Sequence, residues 1–426
     1  MKKDAQTTEK KMSYCKAPSP FQPSPFQPFQ SQIDKILSGN EDWAITAVDY
    51  ILAAGARNQA SDIHLEPFVD RVQVRFRIDG MLKTVGRFPK DFEENLVSRF
   101  KVISKLVTYR KKLPQDGRIK IRYKEKDVDL RFSFFPTIHG EKVVIRFMSS
   151  TRPLRSFDEL GFPEEINKKL KGLLEKNQGT ILLTGPAGSG KTTTMYASLK
   201  YIQQVGADSC NIMTIEDPVE YDLGSINQSQ VNPVAGITFS SGLRSLLRQD
   251  PDVIMIGEIR DRETAEIAIQ AGLTGHLILS TIHSGTAIGV FTRLINLEVE
   301  PYMVASSIKG IVAQRLVGII CPECRVDYTP SEKIMAQMPN KEKFKNFAFR
   351  KGRGCKKCGM SGYTGRTGIF ELLLVDDNIR DLVVEKAQSR KIMEAVKRHG
   401  MKNMLDDGIE KVIAGITTIE EVIKVT

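Results

Sequence analysis

One stretch constrains the fold of this chain more than any other: Gly185-Pro186-Ala187-Gly188-Ser189-Gly190-Lys191-Thr192, which fits G-x-x-x-x-G-K-[ST] at every position. The residues before it, Thr180-Ile-Leu-Leu-Thr184, are an apolar run of strand length, and Lys191–Tyr201 opens a helical pattern. Strand, glycine-rich turn and helix in that order belong to an α/β domain with a mostly parallel sheet. Gly185, Gly188 and Gly190 let backbone N–H groups turn inward around phosphates at a helix N-terminus, where the helix dipole also favours anions. The spacing then puts Lys191 on the β- and γ-phosphates of a nucleoside triphosphate and Thr192 on magnesium, with Thr193 counted among the nucleotide-binding residues.

The flanking sequence supports that frame. Short apolar runs at Gly179–Thr184, Ile212–Ile215, Val253–Ile256 and Leu277–Ser280 alternate with longer amphipathic segments, which predicts the parallel sheet over residues 164–300. Upstream, Ile63–Leu65, Val72–Ile78, Ile119–Arg122, Val128–Phe134 and Lys142–Phe147 read as strands, with turns at Asp79-Gly80 and Asp116-Gly117. Helical spacing marks Trp43–Arg57 and Phe92–Thr108, so residues 41–150 form a small α+β domain. A Pro-containing linker spans 151–163. Residues 1–40 read as a tail, because the Pro/Gln/Phe/Ser composition of 13–32 lacks the aliphatic content to offset ordering entropy. Beyond Pro301 the pattern turns mostly helical through 426, interrupted by a cysteine module at 321–358.

With 426 residues, 41% hydrophobic and 27% charged, the chain has the composition of a multidomain globular protein. No apolar run approaches the roughly 20 residues of a membrane-spanning helix. The N-terminus has no apolar core after its lysines, so it does not read as a secretory signal, and the cytoplasm is the expected compartment. A formal charge of +11 permits nucleic-acid or anionic-lipid binding, but no basic run is interleaved with aromatics, so no specific nucleic acid is expected.

A phosphate loop needs a strand ending in carboxylate to hold magnesium and polarise water. Asp252-Val-Ile-Met-Ile-Gly257-Glu258 supplies one, with Glu258 at the C-terminal end, where open α/β sheets place their ligands. Ile215-Glu216-Asp217-Pro218-Val219-Glu220 puts three further acids after another strand. His276 and His283 bracket the run Leu277–Ile282; a histidine at a strand end is by itself most often a hydrogen-bonded structural residue. Cys321-Pro-Glu-Cys324 and Cys355-Lys-Lys-Cys358 are two knuckle-type pairs whose four thiolates suit a closed, tetrahedral, structural zinc site.

Taken together, these segments resemble the secretion ATPase superfamily, specifically the motor ATPases of type II secretion and type IV pilus assembly. The aspartate box appears as Thr214–Tyr221, the Walker B region as Leu243–Asp261 and the histidine box as Thr274–His283. The small domain matches through Ser61–Pro67, Phe76–Gly80, Leu113–Arg118 and Gly140–Arg146, so the resemblance covers residues from about 41 to the C-terminus. It implies a RecA-like ATPase domain preceded by a PAS-like α+β domain, ATP with Mg2+ as substrate, and a zinc module typical of the assembly branch rather than the retraction branch. It further implies a homohexamer peripheral to the bacterial inner membrane, held there by platform proteins. Residue by residue, it gives Glu258 the water, Glu216 a place near magnesium, and Arg131 and Arg146 the role of arginines supplied to the nucleotide. Arg244 and Arg248 become further basic residues at the site, and His276 a residue that senses the γ-phosphate or couples it to domain movement.

Some positions depart from the family pattern. Ala187 stands where Thr is usual, His283-Ser-Gly where the histidine box more often continues Thr-Asn, and about forty residues precede the small domain where members usually carry another domain. Two rival readings stay open on the residues: a nucleic-acid translocase, suggested by the basic charge and the cysteine module, and a scaffold that binds ATP without hydrolysing it, against which Glu258 and Glu216 speak.

Overall fold

The computed structural model describes residues 29–39, 42–123, 126–148, 155–206, 209–338, 341–344 and 347–426. The chain divides into two compact units, Met1–Pro153 and Leu154–Thr426.

The first unit is built on a six-stranded antiparallel sheet: β1 (Asp62–Pro67), β2 (Arg71–Ile78), β3 (Met81–Pro89), β4 (Gln115–Tyr123), β5 (Lys126–Thr137) and β6 (Gly140–Phe147), in the order β3-β2-β1-β6-β5-β4. Alternation puts Ile63, Phe76, Phe132 and Ile145 on the inner face, against the helices Phe29–Gly39, Trp43–Arg57 and Glu93–Ile103. Asp79-Gly80 makes the two-residue turn from β2 to β3 as expected. Asp116-Gly117 is not a turn but lies inside β4, paired with Ser133 and Phe132. Glycine is needed there for close approach, since a Cβ at 117 would come within 2.9 Å of the Ser104 carbonyl. The helix expected over Phe92–Thr108 ends at Ile103, and Lys105 leaves it with φ 58°. Under it, Lys101 is fully buried and held by both oxygens of Glu141 at 2.7 Å and by the Arg110 carbonyl at 2.8 Å.

Of the expected tail, residues 1–28 lie outside the described residues. Phe29–Gly39, by contrast, is a helix: Ile33 and Ile36 are buried, and the Phe29 ring meets Tyr50 and Phe76. Apolar residues at 29, 33, 36 and 37 give this stretch a core-facing stripe that its neighbours on the N-terminal side lack. Within the expected linker, Phe157–Leu160 forms a helical turn closed by a Ser156/Glu159 capping box, with Phe157 and Leu160 buried.

The second unit carries β7 (Gly179–Thr184), β8 (Ile212–Glu216), β9 (Asn227–Gln230), β10 (Val253–Ile259), β11 (Leu277–Ile282), β12 (Ile308–Ile320), β13 (Arg325–Tyr328), β14 (Phe349–Gly352) and β15 (Tyr363–Leu374). Seven of them form one sheet in the order β15-β12-β7-β11-β10-β8-β9, parallel except for β15, and β13 pairs with β14 in a separate ribbon. Buried on both faces, β7 and β11 are unbroken apolar or small-hydroxyl runs. The helices Glu164–Leu174 and Lys191–Gly206 cover one face; Phe239–Leu246, Arg262–Leu273, Gly289–Asn296 and Pro301–Ser307 cover the other.

The helical pattern expected beyond Pro301 holds for residues 377–425. Ile308–Ile320 and Tyr363–Leu374 are instead long strands, and β12 sits directly beside β7. Their β-branched residues are legible as strand only once a neighbouring strand is present to pack them. The sheet therefore continues past residue 300.

Candidate active site

All parallel strands of the second unit point the same way, so their C-terminal ends form one edge, and the phosphate loop follows the end of β7 there. Gly185 has φ 149° and lies so close to the chain opposite that a Cβ would meet the Gln314 carbonyl at 2.5 Å; only glycine fits. Pro186, Ala187 and Gly188 are exposed at the tip, Ser189 is buried, Gly190 and Thr193 are half-buried, and Thr192 is exposed at the helix start. The Lys191 ammonium donates to the Gly185 and Pro186 carbonyls at 2.8 and 3.1 Å. Burial lowers its pKa, Glu258 pulls it back up and Arg315 pushes it down.

Glu258 is delivered to this edge by an irregularity in β10 between Ile256 and Ile259, where pairing with β11 slips and re-aims the side chain. Thr281 Oγ1 donates to the Gly257 carbonyl at 2.8 Å and fixes that peptide. The Glu258 carboxylate, with 15% of its side chain exposed, pairs with Arg260 and has His283 Nε2 3.6 Å away. His283 begins the loop after β11, and the next residue is clamped to the phosphate strand: Ser284 donates N–H to Thr184 Oγ1 at 2.9 Å and accepts from it at 3.0 Å.

His276 is at the other end. It precedes β11, whose first residue pairs with Gly179 at the start of β7, and its ring Nδ1 is 3.2 Å from the Ala271 carbonyl. Six strand residues at about 3.3 Å each put it about 20 Å from the phosphate loop, so a sensor role for His276 is corrected: it caps a helix end. Of the two histidines bracketing β11, His283 is the one at the C-terminal strand ends, the edge that also carries Glu258 after β10.

Glu216 is also placed differently from the expectation. It is 3% exposed, and its carboxylate accepts from Thr214 Oγ1 at 2.6 Å, Gln228 Nε2 at 3.0 Å and the Tyr196 hydroxyl. Tyr196 in turn accepts the Glu220 N–H at 3.1 Å, so the buried carboxylate anchors the acidic loop to the phosphate-loop helix instead of reaching outward. Burial, then the Glu216 charge, raises the Tyr196 pKa and keeps it a donor. Arg244 pairs with Glu263, while Arg248 donates to the Arg244 carbonyl at 3.0 Å; both side chains are on an exposed helix surface.

In the first unit, cross-strand register lines up Arg77, Asp62, Arg146, Arg131 and Arg118 across five strands of the outer face. Arg146 donates Nε–H to Asp62 at 2.9 Å, and Arg118 is held by Asp129 at 2.8 Å. Arg131, exposed between two like charges, has no carboxylate within ion-pair distance among the described residues.

The four cysteines converge as expected. Their Sγ atoms lie within 4.8 Å of one another, with 321–355 and 324–358 at 3.9 Å and 355–358 at 3.7 Å. Metal–sulfur bonds of about 2.3 Å in a tetrahedron require sulfurs about 3.8 Å apart, and these are far too distant for disulfides. Although burial raises the Cys358 thiol, N–H groups of Cys355 and Gly362, each 3.2 Å from its Sγ, help hold it down to about 6. The donor set fits Zn2+ with no open position.

A parallel sheet whose phosphate loop, carboxylate and histidine meet at one strand-end edge defines a P-loop ATPase of RecA-like architecture. The chain belongs to the family described as type II/IV secretion system protein, whose model matches residues 39–424. It is 43% identical over 396 residues to the type II secretion system ATPase E of Vibrio cholerae serotype O1, covering 93% of this chain and 78% of the relative. It is 42% identical over 395 residues to the type IV pilus assembly ATPase PilB of Thermus thermophilus, covering 92% of this chain and 44% of the relative. The solved pilus retraction motor PilT with bound ADP superposes with a TM-score of 0.59 at 26% identity, covering 88% of this chain and 96% of PilT.

Proposed function

We propose that this chain is the ATP-hydrolysing motor of a type II secretion or type IV pilus assembly machine, working as a homohexamer at the cytoplasmic face of a bacterial inner membrane and driving pseudopilin or pilin assembly. Family membership and the relatives' activities support the secretion or pilus motor, and no helix among the described residues is long and apolar enough to cross a membrane. One observation carries the reading: Lys191, Glu258 and His283, separated by up to 92 positions in sequence, converge on one edge of the sheet.

In the proposed cycle, backbone N–H groups of Ala187 to Thr193 cradle the phosphates of ATP, and Lys191 exchanges its loop carbonyls for phosphate oxygens. Magnesium, held by Thr192, would neutralise charge on the β- and γ-phosphates. Glu258 orients the attacking water and accepts its proton, with His283 beside it to hold the carboxylate in place. Glu216 acts indirectly, by fixing the acidic loop. Arg131, lacking a carboxylate partner, is the small-domain arginine best suited to the developing phosphoryl charge; Arg146 would first have to leave Asp62, and Arg244 to leave Glu263. Zn2+ on Cys321, Cys324, Cys355 and Cys358 would be structural. Platform proteins of the membrane machine are the proposed partners.

Steady-state phosphate release from the purified chain tests this. Lys191→Ala should lower turnover by on the order of 10²-fold or more while leaving the circular dichroism spectrum unchanged; undiminished hydrolysis in that variant would sink the assignment.

A further inference from the structure

β12 carries Ala313-Gln314-Arg315-Leu316 past the phosphate loop. Gln314, 1% exposed, donates Nε2–H to the Ser189 carbonyl inside that loop at 2.8 Å. Its own main-chain carbonyl is the atom that leaves no room for a side chain at Gly185. Arg315 reaches the other way. It donates Nη2–H to the Gly285 carbonyl at 2.9 Å, two residues after His283, and Nη1–H to the Gln314 carbonyl at 3.1 Å. Among the described residues Arg315 forms no ion pair; it hydrogen-bonds to these two carbonyls, and the Glu371 carboxylate attracts it from farther off.

The loop that begins with His283 is pinned residue after residue by three different strands. Ser284 is clamped by Thr184 of β7, Gly285 by Arg315 of β12, and Ala287 donates N–H to Glu371 of β15 at 2.9 Å. The middle clamp is made by a residue whose chain neighbour, Gln314, also holds the phosphate loop through Ser189. Gln314 and Arg315 pair with Phe370 and Ile369 of β15, and β7 holds β12 up to Ala313, so the Gln314–Arg315 peptide is a rigid spacer between the two loops.

We propose that Gln314 and Arg315 are a positioning pair for ATP hydrolysis: Gln314 sets the phosphate loop through Ser189, Arg315 sets the His283 loop through Gly285, and the shared backbone fixes their spacing. This rests on the roles given above to Lys191, Glu258 and His283. A guanidinium suits the task because its planar fork spans two carbonyls at once, which a lysine ammonium on a flexible stem does not reproduce. Burial lowers the Arg315 pKa, and its charge lowers that of Lys191, consistent with both cations flanking the phosphate position. Misplacing a catalytic loop by an ångström costs turnover more than binding.

The test uses the full chain, with steady-state phosphate release and binding of a fluorescent ADP. Arg315→Lys should lower kcat by about tenfold or more, with KM and ADP affinity within about threefold of the parent and the melting temperature nearly unchanged. Gln314→Leu, which keeps volume and loses the donor, should act on the phosphate loop and raise KM about fivefold. In a His283→Ala background, adding Arg315→Lys should cost less than about a further twofold, because both changes disable one element. Parent-like kcat in Arg315→Lys, a parallel fall of kcat, ADP affinity and melting temperature, parent-like KM in Gln314→Leu, parent-like turnover in His283→Ala, or a full additional tenfold loss in the double variant would each overturn the proposal. Lys191→Ala separates the two readings: if it loses turnover while Arg315→Lys does not, only the positioning pair fails.

Discussion

The two ends of the parallel sheet are made from the same strands but are chemically unlike. At the C-terminal ends lie the phosphate loop after β7, Glu258 in the β10 bulge and His283 after β11. At the N-terminal ends the polar groups close on themselves: His276 sits on the Ala271 carbonyl, and Asp252 accepts the Asn211 N–H at 2.7 Å. The difference teaches that in this fold chemistry follows strand direction and not residue type, because loops leaving C-terminal ends converge around one crevice while those entering at the other end pack as turns. Two histidines six residues of strand apart therefore lie at opposite ends of the sheet.

The sharpest way to break that comparison is at the active end. Glu258→Gln keeps the shape and removes the charge facing His283, so turnover should fall by on the order of 10²- to 10³-fold with ATP binding retained; phosphate release near the parent rate would remove Glu258 from the chemistry. The cysteine cluster gives an intermediate effect. β12 passes the loop at Gln314 and runs on to Cys321, so stripping zinc with a chelator should loosen its far end, lowering the melting temperature by about 5 °C and turnover by a few-fold. A metal analysis showing less than one zinc per chain in folded, active protein would contradict this. The smallest effect belongs to the opposite end: His276→Ala should change kcat by less than about twofold, since it removes a cap about 20 Å from the loop. A tenfold loss there would mean that strand direction does not separate the two ends.

Much of this was legible in the amino-acid order. The strands of the first unit alternate plainly, and β7, β10 and β11 are apolar runs that survive any context. Phe29–Gly39 was hidden under the composition of its neighbours, although its own apolar spacing is helical. β12 and β15 were read as part of a helical region because a long run such as Ile308–Ile320 is strand only when a sheet waits beside it. Glu216 looked like a metal-site acid because acids after strands often are, yet Tyr196, Thr214 and Gln228 take up its oxygens from three elements whose meeting no local pattern announces.

The sequence by itself determined the pieces whose chemistry needs only near neighbours: a loop of backbone N–H groups closed by Lys191 and Thr192, and two cysteine knuckles whose spacing brings thiols together in pairs. Tertiary structure alone decided how those pieces are completed. The strand order β12-β7-β11-β10-β8 sets Gln314 against Ser189 and His283 beside Glu258, and the common direction of the strands leaves His276 behind. The physical reason is that side-chain contacts act over a few ångströms in space, and a parallel sheet brings together strand ends that lie more than a hundred residues apart along the chain.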